Sequence, residues 1–272
     1  MKRIICPIDF SNASKNAARY AAQIARKFRI SLSLAYLANN SIQMTGPADA
    51  EESAFTDEDP ELNLQHLCED LRNNYSIDCA GYFLSGSQLF TEIDNVKDDT
   101  ALIVSGIDWK REMEDYSNEI AAMELLNKLD KPLLIVPEEY KYAPVTRIVF
   151  GSKYGELDLR ALRELIILFD PVYPDIYVVH VSNRFNFQKT QEFQDYIRTI
   201  ENVMPGEDQL HFHHIYGTDI PNALINFSAD VFNQIIAVVA DSQNKFQKAR
   251  IAKLIQISDL PVLLMPGSRV PA

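Results

Sequence analysis

Short apolar runs alternate with stretches of helical period along the whole chain. Arg3-Ile4-Ile5-Cys6-Pro7-Ile8-Asp9 predicts a strand that ends in a polar turn, and Ser11 stands ready as the N-cap of a helix reaching to Phe28. On that helix Ala21, Ile24, Ala25 and Phe28 follow the i, i+3, i+4, i+7 spacing of a buried stripe. Further strands are predicted at Ser31–Leu37, Asp78–Leu84, Ala101–Ser105 and Pro132–Pro137, with helices between them near Leu62–Tyr75, Gln88–Val96 and Ser117–Leu129. Runs such as Ala101-Leu102-Ile103-Val104 and Leu133-Leu134-Ile135-Val136 do not alternate with polar residues, so they suit strands covered on both faces, as in a parallel sheet. Strands alternating with helices of this length imply βαβ units.

The second half repeats this order. Val145-Thr146-Arg147-Ile148-Val149-Phe150 matches the opening strand, with Arg147 in the place of Arg3, and the helix after it carries Leu162, Leu165, Ile166 and Phe169 on one stripe. Strands are predicted at Ile176–Val181, Leu210–Ile215, Ile235–Val239 and Val262–Met265. The closing strands share one pattern, Lys131-Pro132-Leu133-Leu134-Ile135-Val136-Pro137 against Leu260-Pro261-Val262-Leu263-Leu264-Met265-Pro266. Proline cannot donate to a ladder, so a proline at each end suits strand termini. The pattern argues for a tandem duplication, with domains at residues 1–140 and 141–272 and a short linker at about Glu138–Pro144.

Composition narrows the function. The chain has 272 residues, 47% of them apolar and 24% charged, enough to bury a sizeable core. Its 38 acidic residues against 26 basic ones leave a net charge of -12, which repels phosphate backbones and anionic lipid, so no nucleic-acid or membrane partner is expected. No run approaches a membrane span and no signal peptide is read at the N-terminus. Cys6, Cys68 and Cys79 are too few and too scattered for a disulfide framework, which fits a reducing cytoplasm, and Cys6 is expected to be a buried, inert thiol.

The strand Ile4-Ile5-Cys6-Pro7-Ile8-Asp9-Phe10-Ser11, the alanine-rich helix Ala17–Ala25 and the closing Asp130-Lys131-Pro132-Leu133-Leu134-Ile135-Val136-Pro137 together resemble the universal stress protein family, of the adenine-nucleotide alpha-hydrolase-like group. The resemblance covers both halves, the first more clearly. It implies an α/β fold of two Rossmann-like copies related by a pseudo-two-fold. Each copy would be a five-stranded parallel sheet with helices on both faces, associating through its last strand.

The nucleotide-binding branch of that family places an aspartate at the end of the first strand and a Gly-x2-Gly-x9-Gly-Ser/Thr loop around the phosphates, where glycines let backbone N–H groups approach the anion. The resemblance maps candidate adenosine contacts onto Pro7, Ile8, Asp9 and Gly106. The second glycine position, however, falls on Trp109 and the third on Glu119, with Ile120 where Ser or Thr belongs. In the second half Lys153 replaces Asp9, and Ala240-Asp241-Ser242-Gln243 holds no glycine. Both loops therefore read as degenerate. The other reading of Asp9 is a carboxylate that stabilises the start of the following helix, and of Gly106 a turn glycine after the fourth strand.

Other clusters take ordinary readings. His211 and His213 share a strand face at a spacing that could chelate a metal, but no cysteine or paired acid stands near them in sequence, and no metal is expected. Asp49, Glu51, Glu52, Asp57, Glu58, Asp59 and Glu61 form an acidic stretch expected to be a solvated loop, and Lys245, Lys248, Arg250 and Lys253 a solvated helix face. Phosphate-loop, dinucleotide and nucleophile-elbow motifs are all missing, so no catalytic residue is assigned.

The expectation is a non-enzymatic cytoplasmic stress-response protein without a cofactor, acting through association or small-ligand sensing. It would have a protein partner or a second copy of itself, including a homodimer of tandem chains. The alternative is a switch that binds ATP or another adenosine nucleotide in the first domain only.

Overall fold

In the computed structural model the described residues are 2–38, 59–85, 97–107, 130–183, 187–204, 206–240 and 245–267. Ten strands lie in this part of the chain: β1 (Arg3–Ile8), β2 (Ser31–Ala38), β3 (Cys79–Ser85), β4 (Thr100–Ile107), β5 (Leu133–Pro137), β6 (Arg147–Gly151), β7 (Asp175–Ser182), β8 (Leu210–Tyr216), β9 (Ile235–Ala240) and β10 (Val262–Pro266). Six α-helices accompany them among the described residues: α1 (Asn12–Phe28), α2 (Pro60–Tyr75), α3 (Glu156–Phe169), α4 (Phe187–Val203), α5 (Ile220–Val231) and α6 (Lys245–Ile257). The helices expected at Gln88–Val96 and Ser117–Leu129 lie outside the described residues, as do the acidic stretch before Asp59 and the positions Trp109, Glu119, Ile120 and 241–243.

All ten strands join one sheet in the order β3-β2-β1-β4-β5-β10-β9-β6-β7-β8. Every neighbouring pair is parallel except β5 and β10, which meet antiparallel at the centre. The order reads the same from either edge, the signature of two copies related by a two-fold. The axis passes between Leu134 and Leu263, which pair directly and hold matching places in β5 and β10.

The continuous apolar runs are buried on both faces, as parallel strands require. One face carries Ile4, Cys6, Leu102, Val104, Ile148 and Phe150 into a core shared with α1, α2, α3 and α4. Phe28 of α1 meets Phe169 of α3 edge-on at 5.6 Å, so this layer runs across both halves. The opposite face packs Ile236, Val262 and Leu264 on α6, and Val149, Val179 and Val181 on α5. Pro132 and Pro137 flank β5 at its ends, where a missing N–H costs the ladder least.

The connection between halves is pinned rather than loose. Asn16 Nδ2 donates to the carbonyls of Pro137 and Tyr140, both at 3.0 Å, and Tyr20 packs against Tyr140 and Tyr142 at 6.0 and 5.1 Å. Among the described residues no helix is long and apolar enough to cross a membrane.

Candidate functional site

Open α/β sheets take ligands at the carboxyl ends of their strands, and the first-half candidates lie there. Pro7 and Ile8 end β1, Asp9 follows it, and Gly106 is near the end of the adjacent β4. The Ile8 side chain is buried in the core, so a ligand at this place would meet only its backbone. Asp9 Oδ1 accepts from Ser11 N at 2.9 Å, and Ser11 Oγ in turn caps α1 by accepting from Ser14 N at 3.1 Å. Partial withdrawal from water pushes the Asp9 carboxyl up, but hydrogen bonds from Ser11 and Ser14 outweigh it and hold the group below its ordinary value.

Gly106 is not a turn residue: it lies within β4. A Cβ there would stand 2.1 Å from the Ala13 carbonyl oxygen and 2.9 Å from Ser14 N. The close approach of the first turn of α1 to β4 requires a bare Cα at this point, with no phosphate needed to explain it.

The sheet registers fix the matching places in the second half. Ile4 pairs with Leu102, and Ile148 with Ile235. The counterparts of Pro7, Ile8, Asp9 and Gly106 are therefore Gly151, Ser152, Lys153 and Val239. The helix-capping acid has moved as well. Gly155 occupies the N-cap of α3 without a side chain, and Asp158 reaches back so that its Oδ2 accepts from Lys153 N at 2.8 Å and Gly155 N at 2.9 Å. Asp158 is buried, whereas Asp9 is exposed, and the Lys153 side chain is exposed where Asp9 stands in the first half.

Beneath this turn, between the sheet and helices α5 and α6, lies a cleft enclosing about 620 Å³ of empty space, its open mouth included. Its walls are Val179, Val181 and Val238 of the sheet, Pro221 and Leu224 of α5, and Ile251 and Leu254 of α6. Gly151 lets the wall close in, since a Cβ there would come within 3.1 Å of Leu224 and 3.3 Å of Val238. Lys153 and Arg250, both exposed, supply its cations, and Asp158, His180, Ser152 and Gln247 its other polar groups. Most of that polar equipment is engaged internally. The His180 ring Nδ1 lies 2.9 Å from the Ser152 carbonyl, Ser152 Oγ accepts from Tyr154 N at 3.1 Å, and Gln247 Nε2 donates to the Val239 carbonyl.

The basic residues of α6 are therefore more than a solvated face. Arg250 lines the cleft, and Lys253 Nζ pairs with Oδ2 of Asp219, the N-cap of α5, which ties the two helices together and holds Asp219 below its ordinary value. The walls escaped the sequence reading because they are assembled from five separate segments. Gly151, which closes a strand of larger residues, was the available signal.

An aromatic row crosses the strand ends in both halves. Phe10, Tyr36 and Phe83 follow one another at 5.1 and 5.0 Å, and their counterparts Tyr154, His180 and His214 at 4.0 and 5.2 Å. Phe10 and Tyr154 share the left-handed backbone, with φ of 64° and 66°. His211 and His213 do share a face, both rings lying against Tyr177, at 5.0 and 5.7 Å, and His211 Nε2 lies 3.1 Å from Asp175 Oδ1. The Cys6 thiol is fully buried, and that burial pushes its titration far up, which leaves it protonated.

These features define a doubly wound α/β protein duplicated about an internal two-fold, its accessible ends at the strand carboxyl termini. The model of the Universal stress protein family matches residues 1–137, and the chain belongs to that family. A universal stress protein from Archaeoglobus fulgidus is similar over 97% of this chain and 96% of its own, at 15% identity and a TM-score of 0.68. A functionally unknown protein from Pseudomonas aeruginosa matches at 14% identity over 98% of this chain and 92% of its own, TM-score 0.59. The cytoplasmic domain of a prokaryotic cation chloride cotransporter matches at 10% identity over 98% and 95%, TM-score 0.58. At these identities the likeness is one of fold. No curated protein matches the sequence.

Proposed function

We propose that this is a non-enzymatic cytoplasmic stress-response protein that senses a small ligand in its second half and acts through association with a protein partner or a second copy of itself. The cleft under Lys153 carries this reading. It is concave, walled by apolar side chains and placed at strand carboxyl ends, the common setting of a small-molecule site. Among the described residues Asp158, Ser152, His180 and Gln247 are hydrogen-bonded to backbone atoms of the turn and the sheet, an arrangement that holds structure rather than one that moves protons. Three free, buried cysteines fit a reducing compartment.

The second reading, an adenosine nucleotide held in the first half through Pro7, Ile8, Asp9 and Gly106, draws support from Asp9. Its carboxylate is exposed at the end of β1 and stays ionised, as a ribose hydroxyl acceptor must. Calorimetric titration of the full chain with ATP, ADP and AMP, joined to mass spectrometry of any small molecule released from the purified protein, separates the two. The first reading expects no heat from the nucleotides and a released compound that is not an adenosine derivative. Micromolar nucleotide binding abolished by Asp9→Ala moves the function to the first half.

A further inference from the structure

We propose that the second-half cleft takes a small amphipathic anion, a medium-chain hydrocarbon body ending in one carboxylate. The inference rests on the reading of that cleft as a ligand site and names the class of molecule. Three observations lead to it. The walls formed by Val179, Val181, Leu224, Val238, Ile251 and Leu254 offer continuous hydrocarbon and no hydrogen-bonding side chain. A polar ligand body would lose its water there without replacement, whereas an alkyl chain gains with every methylene it buries.

The nearby polar atoms, moreover, already have partners. Asp158 Oδ2 accepts from two backbone amides, His180 Nδ1 lies against the Ser152 carbonyl, and Gln247 donates to the Val239 carbonyl. A purine edge set among these side chains would compete with contacts already made, a cost that a hydrocarbon body does not meet.

The charge at the mouth points the same way. The chain as a whole carries -12, yet among the described residues lining the cleft Arg250 and Lys153 are exposed cations and Asp158 is a buried carboxylate. Lys153 stands where the first half has an aspartate, so the sign of this position is reversed between the copies.

The test is calorimetry on the full chain with octanoate, octanol and octylamine as probes, repeated with Arg250→Gln and Leu224→Trp. Octanoate should bind about threefold to fivefold more tightly than octanol, and octylamine more weakly than either, because one paired head charge at an exposed mouth is worth roughly that factor. Arg250→Gln should bring octanoate down to the level of octanol. Leu224→Trp, which fills the cleft, should abolish both, and Ile251→Phe takes its place should that variant not fold. Octanoate no tighter than octanol, or indifferent to Arg250→Gln, overturns the ligand class and leaves the cleft standing as a site. Silence from octanoate and octanol alike, or binding that survives filling of the cleft, overturns the site and the proposal with it.

Discussion

Leu134 and Leu263 pair directly across the antiparallel junction of β5 and β10, each fully buried, each occupying the same place in its own copy. The junction thus turns two five-stranded sheets into one continuous sheet, and both halves share the apolar layer beneath it. Leu134→Ala and Leu263→Ala should each cost about 2–5 kcal/mol. Because they touch, the double variant should depart from the sum by about 0.5–3 kcal/mol in chemical denaturation. Strict additivity would mean that the two leucines do not share one packed junction.

Gly106 is held by packing. Gly106→Ala drives a methyl to within 2.1 Å of a backbone oxygen in α1, a neighbour that cannot swing aside. The expected destabilisation is about 1–3 kcal/mol or more, read from urea unfolding with no nucleotide present. An unchanged midpoint would show that the glycine is not needed for the approach of α1 to β4.

Tyr20 offers the opposite sign. Its side chain is almost wholly buried against the connection between halves, yet its hydroxyl has no hydrogen-bond partner among the described residues. Tyr20→Phe removes that hydroxyl and should leave the protein as stable or more stable by up to about 1 kcal/mol. Asn16→Ala, which strips two carbonyls of the connection of their donor, should cost about 1–3 kcal/mol. A costly Tyr20→Phe would contradict this account of the linker.

Two histidines of β8 give the pH dependence its shape. Burial holds His213 and His214 below the usual value near 6.5, with the neighbouring His211 adding to the effect on His213. The unfolded chain therefore binds more protons than the native one as the pH falls through about 6.5, and stability should decline from about pH 7.5 to 5.5. The depressed Asp9 and Asp219 lose their contributions only as pH falls below about 4, well outside this window. His214→Phe, which installs the residue found at the matching Phe83, should flatten the slope in thermal melts. A slope unmoved by this change would place the pH dependence elsewhere.

The strands were legible because buried parallel strands need unbroken apolar runs, and Ala101–Val104, Leu133–Val136 and Ile235–Val239 have no other use. The cap at Ser11 was legible for a similar reason, since its chemistry is local. What stayed hidden depends on contacts between distant segments. The exchange of Asp9 for Lys153 is visible in the two aligned copies, but the transfer of the capping acid to Asp158 depends on where α3 starts. Gly106 reads as a turn residue until α1 is seen pressing on it. The cleft draws its walls from strand ends near 151, 180 and 238 and from helices near 221 and 251, a set that no local pattern brings together.

The central claim is that the ligand site lies in the second half, and methyl-resolved NMR tests it most directly. With Ile, Leu and Val methyls labelled, titration with octanoate should shift Val179, Val181, Leu224, Val238, Ile251 and Leu254 and leave Ile8 and Leu34 of the first half unmoved. Shifts confined to the methyls around β1 and β4, with the second-half set silent, would contradict the account.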